Sequence, residues 1–373
     1  MRLGMRRGIV VTGACLAFFL TGCGAEGGDG SGDSGGNGGK GGNGGNGGNG
    51  GSAAAGSSGT GGGAPKCEDA FAKVPLPYAP NTSLDEWGGF AVDERGAVFS
   101  AIPDSSLTDD TSAYHPLIMA SDLAGNLTTL YTGDGSSLFG NFILQGDSVY
   151  MLAGVVVPGI ARLDRRGGEP VEVVEGTVFA GPVLSDDFIY YAKAGASGDG
   201  IYRLDPATDA STLVIAREDE IDVLDVDGDT LYWIESDGFL ADTDYRLFSM
   251  PVAGGTATLV QSLPRAELAI GSFRVIDRVL FGSEITEDFD LVVTRTPIGE
   301  APTIVEDFGG LPMTIADGFA YYGSGSGGIT KAPLSFQSKT TIAGSDDRSI
   351  YSLAVGPSDL WYSELSCIFR APK

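Results

Sequence analysis

Residues 223–238 read VLDVDGDTLYWIESDG, which is an apolar segment, a Gly-Asp turn and a second segment rich in aromatic side chains. Its aspartates stand at every second position, a spacing that suits hard cations such as calcium: Asp225, Asp227 and Asp229. An EF-hand-like loop counted from Asp225 needs a glycine sixth and an acid twelfth, but Thr230 and Ser236 occupy those positions. The stretch therefore predicts two antiparallel strands joined by a tight turn.

The same pattern recurs along the whole body of the chain. Matching segments begin at Phe90, Phe142, Pro182, Asp222, Phe273, Met313 and Ser352. We take as equivalent positions in these segments Phe99, Tyr150, Tyr190, Tyr232, Leu280, Tyr321 and Trp361. Successive positions are 40 to 51 residues apart, which is close to the period of a propeller blade.

Most copies are followed by a second half made of an alternating strand, a turn and another strand. Residues 200–215, GIYRLDPATDASTLVI, show this arrangement with a reversal at Pro206, and Gly254 and Gly255 mark the same place in a later copy. Helical periodicity is almost absent. The sequence thus predicts an all-β fold, a β-propeller of four-stranded antiparallel blades.

The two ends of the body predict how the ring closes. The last copy stops after its third strand, at residues 367–373, and residues 67–78 form a strand-length piece before the first copy. An N-terminal strand that completes the final blade would remove open sheet edges. The count favours seven blades, while the weak matches at Leu280 and Phe99 leave six or eight open.

The same closure brings Cys67 and Cys367 together, and we predict a disulfide between them. In an exported protein such a bond is favoured, and it requires Cα atoms within about 7 Å of each other. The alternatives are a pair of free thiols or a pair of metal ligands that lack further partners.

Residues 1–22 predict a lipoprotein signal peptide. Three arginines precede an apolar stretch that is too short to span a bilayer, and Leu20-Thr21-Gly22-Cys23 resembles a lipobox. Cys23 is then the lipid anchor in the membrane, and the absence of Asp after it favours the outer membrane of a bacterial envelope. Residues 23–66, rich in Gly, Ser and Asn, predict a disordered tether, which leaves 67–373 as the propeller domain.

Composition restricts the classes of partner. The chain has 49 Asp and Glu against 23 Lys and Arg, a formal net charge of −26. Such a body repels phosphate backbones, so nucleic-acid binding is not expected, and it disfavours a polybasic contact with anionic lipid. A neutral glycan, a cation or a protein with a basic patch fits better, with the body itself monomeric.

The aromatic motifs resemble those of extracellular YWTD-type and bacterial TolB-like propellers. Tyr232-Trp233-Ile234-Glu235 is the nearest copy, and IYYAK, AYYGS and LWYSE are more divergent. The resemblance covers most of residues 86–373 and implies a binding scaffold. Those families are usually six-bladed, and the resemblance places no catalytic residue on this chain.

Little in the sequence indicates catalysis. His115 is the only histidine, which argues against His-based metal sites and Ser-His-Asp or Cys-His nucleophiles; we expect it in an exposed loop. No nucleotide-binding fingerprint stands in the required context. The sequence favours a non-catalytic binding module. Two alternatives stay open: a lyase or hydrolase using carboxylates in the propeller channel, and a passive structural protein of the envelope.

Acidic residues concentrate in the connections that join second to third strands and one blade to the next. They are Asp109, Asp110, Glu218, Asp219, Glu220, Asp237, Asp242, Asp244, Glu284, Glu287, Asp288, Asp346 and Asp347. These connections emerge on one face of a propeller, where we hypothesise an acidic surface for a cation or a basic partner. The alternative is a solvated rim. No cofactor is predicted, apart from calcium as a candidate ligand of this surface.

Overall fold

The computed structural model describes residues 70–73, 78–80, 89–103, 115–134, 139–153, 159–185, 187–194, 199–236, 244–263, 272–285, 291–301, 303–305, 313–323, 328–343, 350–364 and 367–373. The predicted signal peptide, Cys23 and the tether lie outside this part of the chain. The described residues contain no helix that is long and apolar enough to cross a membrane.

The fold is a β-propeller of seven antiparallel sheets, and the described residues form strands and turns but no helix. β1 (Ala72–Lys73) belongs to the last sheet. Blade 1 contains β2 (Tyr78–Pro80), β3 (Phe90–Asp93), β4 (Gly96–Pro103), β5 (Leu117–Asp122) and β6 (Leu127–Thr132). Blade 2 contains β7 (Phe139–Gln145), β8 (Ser148–Ala153), β9 (Gly159–Asp164) and β10 (Val171–Val174). Blade 3 contains β11 (Val178–Ser185), β12 (Phe188–Lys193), β13 (Gly200–Asp205) and β14 (Ala210–Ala216).

The remaining blades repeat the meander. Blade 4 contains β15 (Glu220–Asp227), β16 (Thr230–Ser236), β17 (Tyr245–Pro251) and β18 (Thr258–Leu263). Blade 5 contains β19 (Ser272–Ile276), β20 (Val279–Ile285), β21 (Leu291–Pro297) and β22 (Thr303–Val305). Blade 6 contains β23 (Met313–Ala316), β24 (Phe319–Gly323), β25 (Ile329–Pro333) and β26 (Thr340–Ala343). Blade 7 contains β27 (Ser352–Val355), β28 (Asp359–Glu364), β29 (Cys367–Pro372) and, as its fourth strand, β1. The predicted fold and blade number are confirmed.

The core of the molecule is divided among the seven boundaries between blades, and each boundary holds one apolar cluster. At the boundary of blades 7 and 1, Trp361 and Ile368 pack with Phe99 and Met119. The inner strands β27 and β3 also touch each other there. Because this last boundary is packed like the others, the ring is closed.

The positions taken as equivalent in the repeat are correct for five blades and wrong by one residue for two. Tyr150, Tyr190, Tyr232, Tyr321 and Trp361 each pack toward the following blade. Phe99 and Leu280 instead pack toward the preceding blade, and their neighbours Val98 and Phe281 face the following one. Successive side chains on a strand point to opposite faces, so a slip of one residue reverses the boundary that the side chain fills.

The opening stretch forms the hairpin that its turn residues predict. β15 and β16 are joined by Gly228 and Asp229, and Gly228 has a φ of 54°, a region that glycine enters without steric cost. A glycine at the first central position of a two-residue turn is typical of type II′ hairpins. The turn interpretation of 223–238 is confirmed.

The N-terminal strand completes blade 7, as predicted. Ala72 pairs with Ile368 and Lys73 pairs with Cys367 in an antiparallel ladder. Cys367 is buried at the start of β29. Its predicted partner Cys67 lies outside the described residues, so the disulfide stays a prediction.

Candidate functional site

The strand order divides the connections into two faces with different lengths and charge. The turn face carries the links between first and second strands and between third and fourth strands, and the loop face carries all the others. Between the strand ends from β3 onward, loop-face connections contain 19 Asp and Glu against three Lys and Arg, whereas turn-face connections contain ten against five. Negative charge is therefore concentrated on the loop face.

The acids of the predicted loop-face surface divide into three groups. Eight lie outside the described residues: Asp109, Asp110, Asp237, Asp242, Glu287, Asp288, Asp346 and Asp347. Glu284 lies in β20, where its backbone pairs with that of Val292. The described side chains are those of Glu218, Asp219, Glu220 and Asp244, all at the loop-face corner of blade 4.

Of the thirteen, Glu284 is described by its backbone alone. The four acids at the corner of blade 4 differ in what they contact. Asp219, in the connection between β14 and β15, forms an ion pair of 3.1 Å with Arg246 of β17. Glu218, Glu220 and Asp244 are exposed to solvent. The hypothesis of an acidic surface thus keeps these three side chains, while Asp219 is already neutralised by an arginine.

A buried ion pair holds the connection that carries these acids. Arg217 donates to Glu235 from Nη2 over 2.7 Å and also pairs with it through Nε. The Glu235 side chain is 0% exposed, and it accepts a further hydrogen bond of 2.7 Å from the indole Nε1 of Trp233. The guanidinium group lies 4.6 Å from the ring centroid of Phe248, so the arginine is fixed by charge and by aromatic contact.

Sequence reasoning did not find this pair, although it quoted one of its members. Glu235 ends the motif Tyr232-Trp233-Ile234-Glu235, and Glu364 stands at the corresponding position of blade 7, where it is also buried. Long charged side chains are rarely buried without a partner. The recurrence of an acid after two aromatic residues was the available signal for a buried ion pair.

The turn face is tied together by ion pairs between blades 1 and 2. Asp93 pairs with Arg165 of the neighbouring blade, and Arg95 donates to Asp147 over 2.7 Å. Burial alone would raise the pKa of Asp93, but the hydrogen bonds and positive charge of Arg165 and Arg95 hold that pKa below its usual value. Arg95 and Arg165 therefore have acidic partners and join blades 1 and 2 on this face.

Asp225, the first aspartate of the opening stretch, is a buried residue of the inner strand β15. It accepts a hydrogen bond of 2.7 Å from the amide of Val275 in the inner strand of blade 5. Burial raises the pKa of Asp225, and the charge of Arg274 together with backbone hydrogen bonds opposes that shift. Its side chain links two blades, which is a structural use of the acid.

Among the described residues, no group of three or more His, Cys, Asp and Glu side chains could hold a metal ion. His115 is exposed, as expected, and its Nδ1 lies 3.1 Å from the carbonyl oxygen of Gly133. The calcium hypothesis remains a prediction, because most of the acids that it invokes lie in connections outside the described ranges.

No family model and no curated protein matches the sequence. Solved structures with a similar fold include a chain of the nidogen/laminin complex, with 11% identity, a TM-score of 0.43, and 69% of this chain and 95% of that chain covered. BamB from Moraxella catarrhalis has 18% identity and a TM-score of 0.45, with 76% of this chain and 81% of that chain covered. The computationally designed protein Ika8 has 13% identity and a TM-score of 0.47, with 79% of this chain and 83% of that chain covered. At these values the likeness concerns the fold alone.

Proposed function

We propose that this chain is an envelope lipoprotein whose propeller serves as a non-catalytic interaction module. The lipid on Cys23 would hold it to the outer membrane, and the tether of residues 23–66 would let the ring search the space above the bilayer. A flexible chain of that length spans on the order of 35 Å root-mean-square. The segregation of acidic residues to the loop face is the observation that supports the module.

Charge on one face of a rigid ring favours recognition by that face. Long connections on a fixed scaffold are where binding residues concentrate, because the scaffold bears the cost of ordering. An excess of 16 negative charges in the loop-face connections, against five on the turn face, would steer a cationic partner toward one side. The partner class is therefore a basic protein surface or a cation.

The ion pair between Arg217 and Glu235 supports the same proposal. It fixes the start of the connection that carries Glu218, so that this exposed carboxylate projects from an ordered base. Preorganised contact groups lose less conformational entropy on binding than mobile ones do. Acids held in place beside this buried ion pair are better suited to recognition than acids that only keep the surface solvated.

Site-specific photocrosslinking in native envelopes tests the interaction. A benzophenone side chain replaces Glu218 on the loop face, and a matched variant carries it at Asp187, which is exposed on the turn face. We expect a defined adduct from position 218 and none from position 187. Adducts of equal yield from both faces, or from neither, would contradict a binding face.

Charge variants give an independent measurement. Glu218→Gln, Glu220→Gln and Asp244→Asn together should reduce the yield of the adduct from a photocrosslinker placed at another loop-face position. The same number of charges removed from the turn face, by Asp187→Asn, Asp229→Asn and Asp277→Asn, should leave that yield unchanged. A loss that is equal in both triple variants would indicate a net-charge effect.

Anchoring is tested separately. Cys23→Ser should move the full-length chain from the membrane fraction to the soluble fraction, because the acyl chains contribute about 0.8 kcal/mol for each buried methylene group. Incorporation of labelled fatty acid should disappear in the same variant. A Cys15→Ser variant is the control, since Cys15 lies within the predicted signal peptide.

A further inference from the structure

The seam between blade 7 and blade 1 is closed by a very short strand. Among the described residues, β1 pairs with β29 through Ala72 and Lys73, whereas the outer strands of blades 1 to 4 have four to seven residues. A ladder of two residues provides few backbone hydrogen bonds. Side chains beside β1 must therefore contribute to holding the N-terminal strand in place.

Phe71, directly before β1, contacts both blades at the seam. Its ring meets that of Trp361 in blade 7 edge to face, with centroids 5.1 Å apart and an interplanar angle of 84°. Its carbonyl oxygen faces Gly125 in the turn between β5 and β6 of blade 1. A Cβ atom on Gly125 would lie 2.3 Å from that oxygen, so only glycine allows the approach.

Arg370 of β29 contacts the N-terminal segment, blade 7 and blade 1. Its guanidinium carbon lies 5.4 Å from the ring centroids of both Phe71 and Trp361. Nη1 donates to the carbonyl oxygen of Leu123 in blade 1 over 3.1 Å, and Nη2 pairs with Asp359 in blade 7. One side chain thus contacts the N-terminal segment, its own blade and the next blade.

The corresponding arginine of blade 3 shows what is particular to the seam. Arg203 stands opposite Tyr190 as Arg370 stands opposite Trp361, and its guanidinium carbon lies 4.4 Å from the ring centroid of Phe188. Phe188 belongs to the same blade and is joined to it by continuous chain. At the seam, by contrast, the stacked aromatic residue comes from the far end of the sequence.

We propose that Phe71 and Arg370 form a latch that makes the boundary of blades 7 and 1 the opening point of the ring. When the latch is released and the predicted disulfide of Cys67 and Cys367 is reduced, β1 leaves β29 and this boundary opens while the others stay packed. Opening uncovers the edge of β29 and the apolar side chains of Phe99 and Met119.

Hydrogen exchange of the full-length chain, followed by mass spectrometry with reductant present, tests the latch. In Phe71→Ala we expect exchange in residues 117–132 and 359–372 to accelerate by about tenfold or more, while residues 188–205 exchange at the wild-type rate. Arg370→Lys should produce the same local pattern, since lysine keeps the charge but cannot stack and reach Leu123 together. Arg203→Ala is the matched control, and it should not accelerate exchange at the seam.

Two results would overturn the proposal. One is acceleration in Phe71→Ala that is the same in every blade, which would mean global destabilisation. The other is a seam that exchanges no faster in Phe71→Ala than in Arg203→Ala. If Phe71→Ala does not fold, Phe71→Leu replaces it: leucine keeps apolar volume but lacks the ring, and the same local acceleration is expected.

Discussion

The hydroxyl group of Tyr190 donates a hydrogen bond of 3.0 Å to the carbonyl oxygen of Val252 in the following blade. Tyr150 does the same one boundary earlier, with 3.2 Å to the carbonyl oxygen of Pro206. Each tyrosine fills an apolar boundary with its ring and reaches the turn face of its neighbour with its hydroxyl. The repeated aromatic position therefore joins blades by packing and by a polar contact.

Tyr190→Phe should lower the free energy of unfolding by about 1 kcal/mol, because the ring is kept while the partly buried carbonyl of Val252 loses its donor. Urea denaturation of the full-length chain measures the change. Tyr131→Phe is the control, since the hydroxyl of this half-buried residue makes no hydrogen bond with the described residues. An equal loss in both variants would contradict a specific contribution from the bond to Val252.

Arg217→Ala should destabilise the fold by about 3–5 kcal/mol, because it leaves the fully buried charge of Glu235 without its partner. The matched variant Arg246→Ala removes a guanidinium group from Asp219, which is partly exposed, and should cost less than about 1 kcal/mol. Thermal unfolding of both variants gives the comparison. Similar losses would mean that the pair with Glu235 contributes no more than a surface ion pair.

Asp225→Asn should stabilise the protein at neutral pH, and the gain should vanish on acidification. The folded-state pKa of Asp225 is raised above the ordinary value of 3.8 by burial, against the opposing charge of Arg274, and Asp227 adds to the rise. Above the folded-state pKa the ionised group costs stability, and that cost disappears as pH falls toward 3.8. Asparagine removes the charge and can still accept from the amide of Val275.

Unfolding free energies measured from pH 7 down to pH 4 test the sign of this effect. Asp229→Asn, in the exposed turn of the same hairpin, should show no comparable gain. A variant Asp225→Asn that is less stable than the wild type at pH 7 would show that the ionised carboxylate is a net favourable partner of Arg274.

Cys67 and Cys367 should resist alkylation until reductant is added, and reduction should destabilise the ring. In the chain-entropy model, the loop that they close contributes roughly 5–6 kcal/mol. Cys67→Ser and the double variant with Cys367→Ser should lose similar amounts, since either change removes the whole cross-link. Labelling of both thiols without reductant would exclude the bond.

Repetition is what made the architecture predictable. Seven blades were predicted from the Gly-Asp turns, the alternating segments and their period of about 40 residues. The closing strand was predicted because the last copy has only three strands. Phe99 and Leu280 were misplaced because aromatic or large apolar residues occupy adjacent positions in those strands. Composition alone cannot say which of two neighbours, such as Leu280 and Phe281, faces the next blade.

The site was less predictable because its contacts join distant parts of the sequence. That Asp219 pairs with Arg246 depends on β17 returning beside the connection that follows β14. The pair of Arg217 and Glu235 likewise forms only once a loop folds back on the end of β16. Charge counts located the acidic face but could not say which acids have basic partners.

The pairing of Ala72 with Ile368 has a consequence for biosynthesis. Of the described strands, the ribosome makes β1 first and β29 last, and the paired residues Ala72 and Ile368 are separated by 296 positions in the sequence. Blades 1 to 6 can assemble in order as the chain grows, but blade 7 must wait until β29 has been made. Until then β1 has no sheet to join, and in the nascent chain it stays unpaired while blades 1 to 6 form.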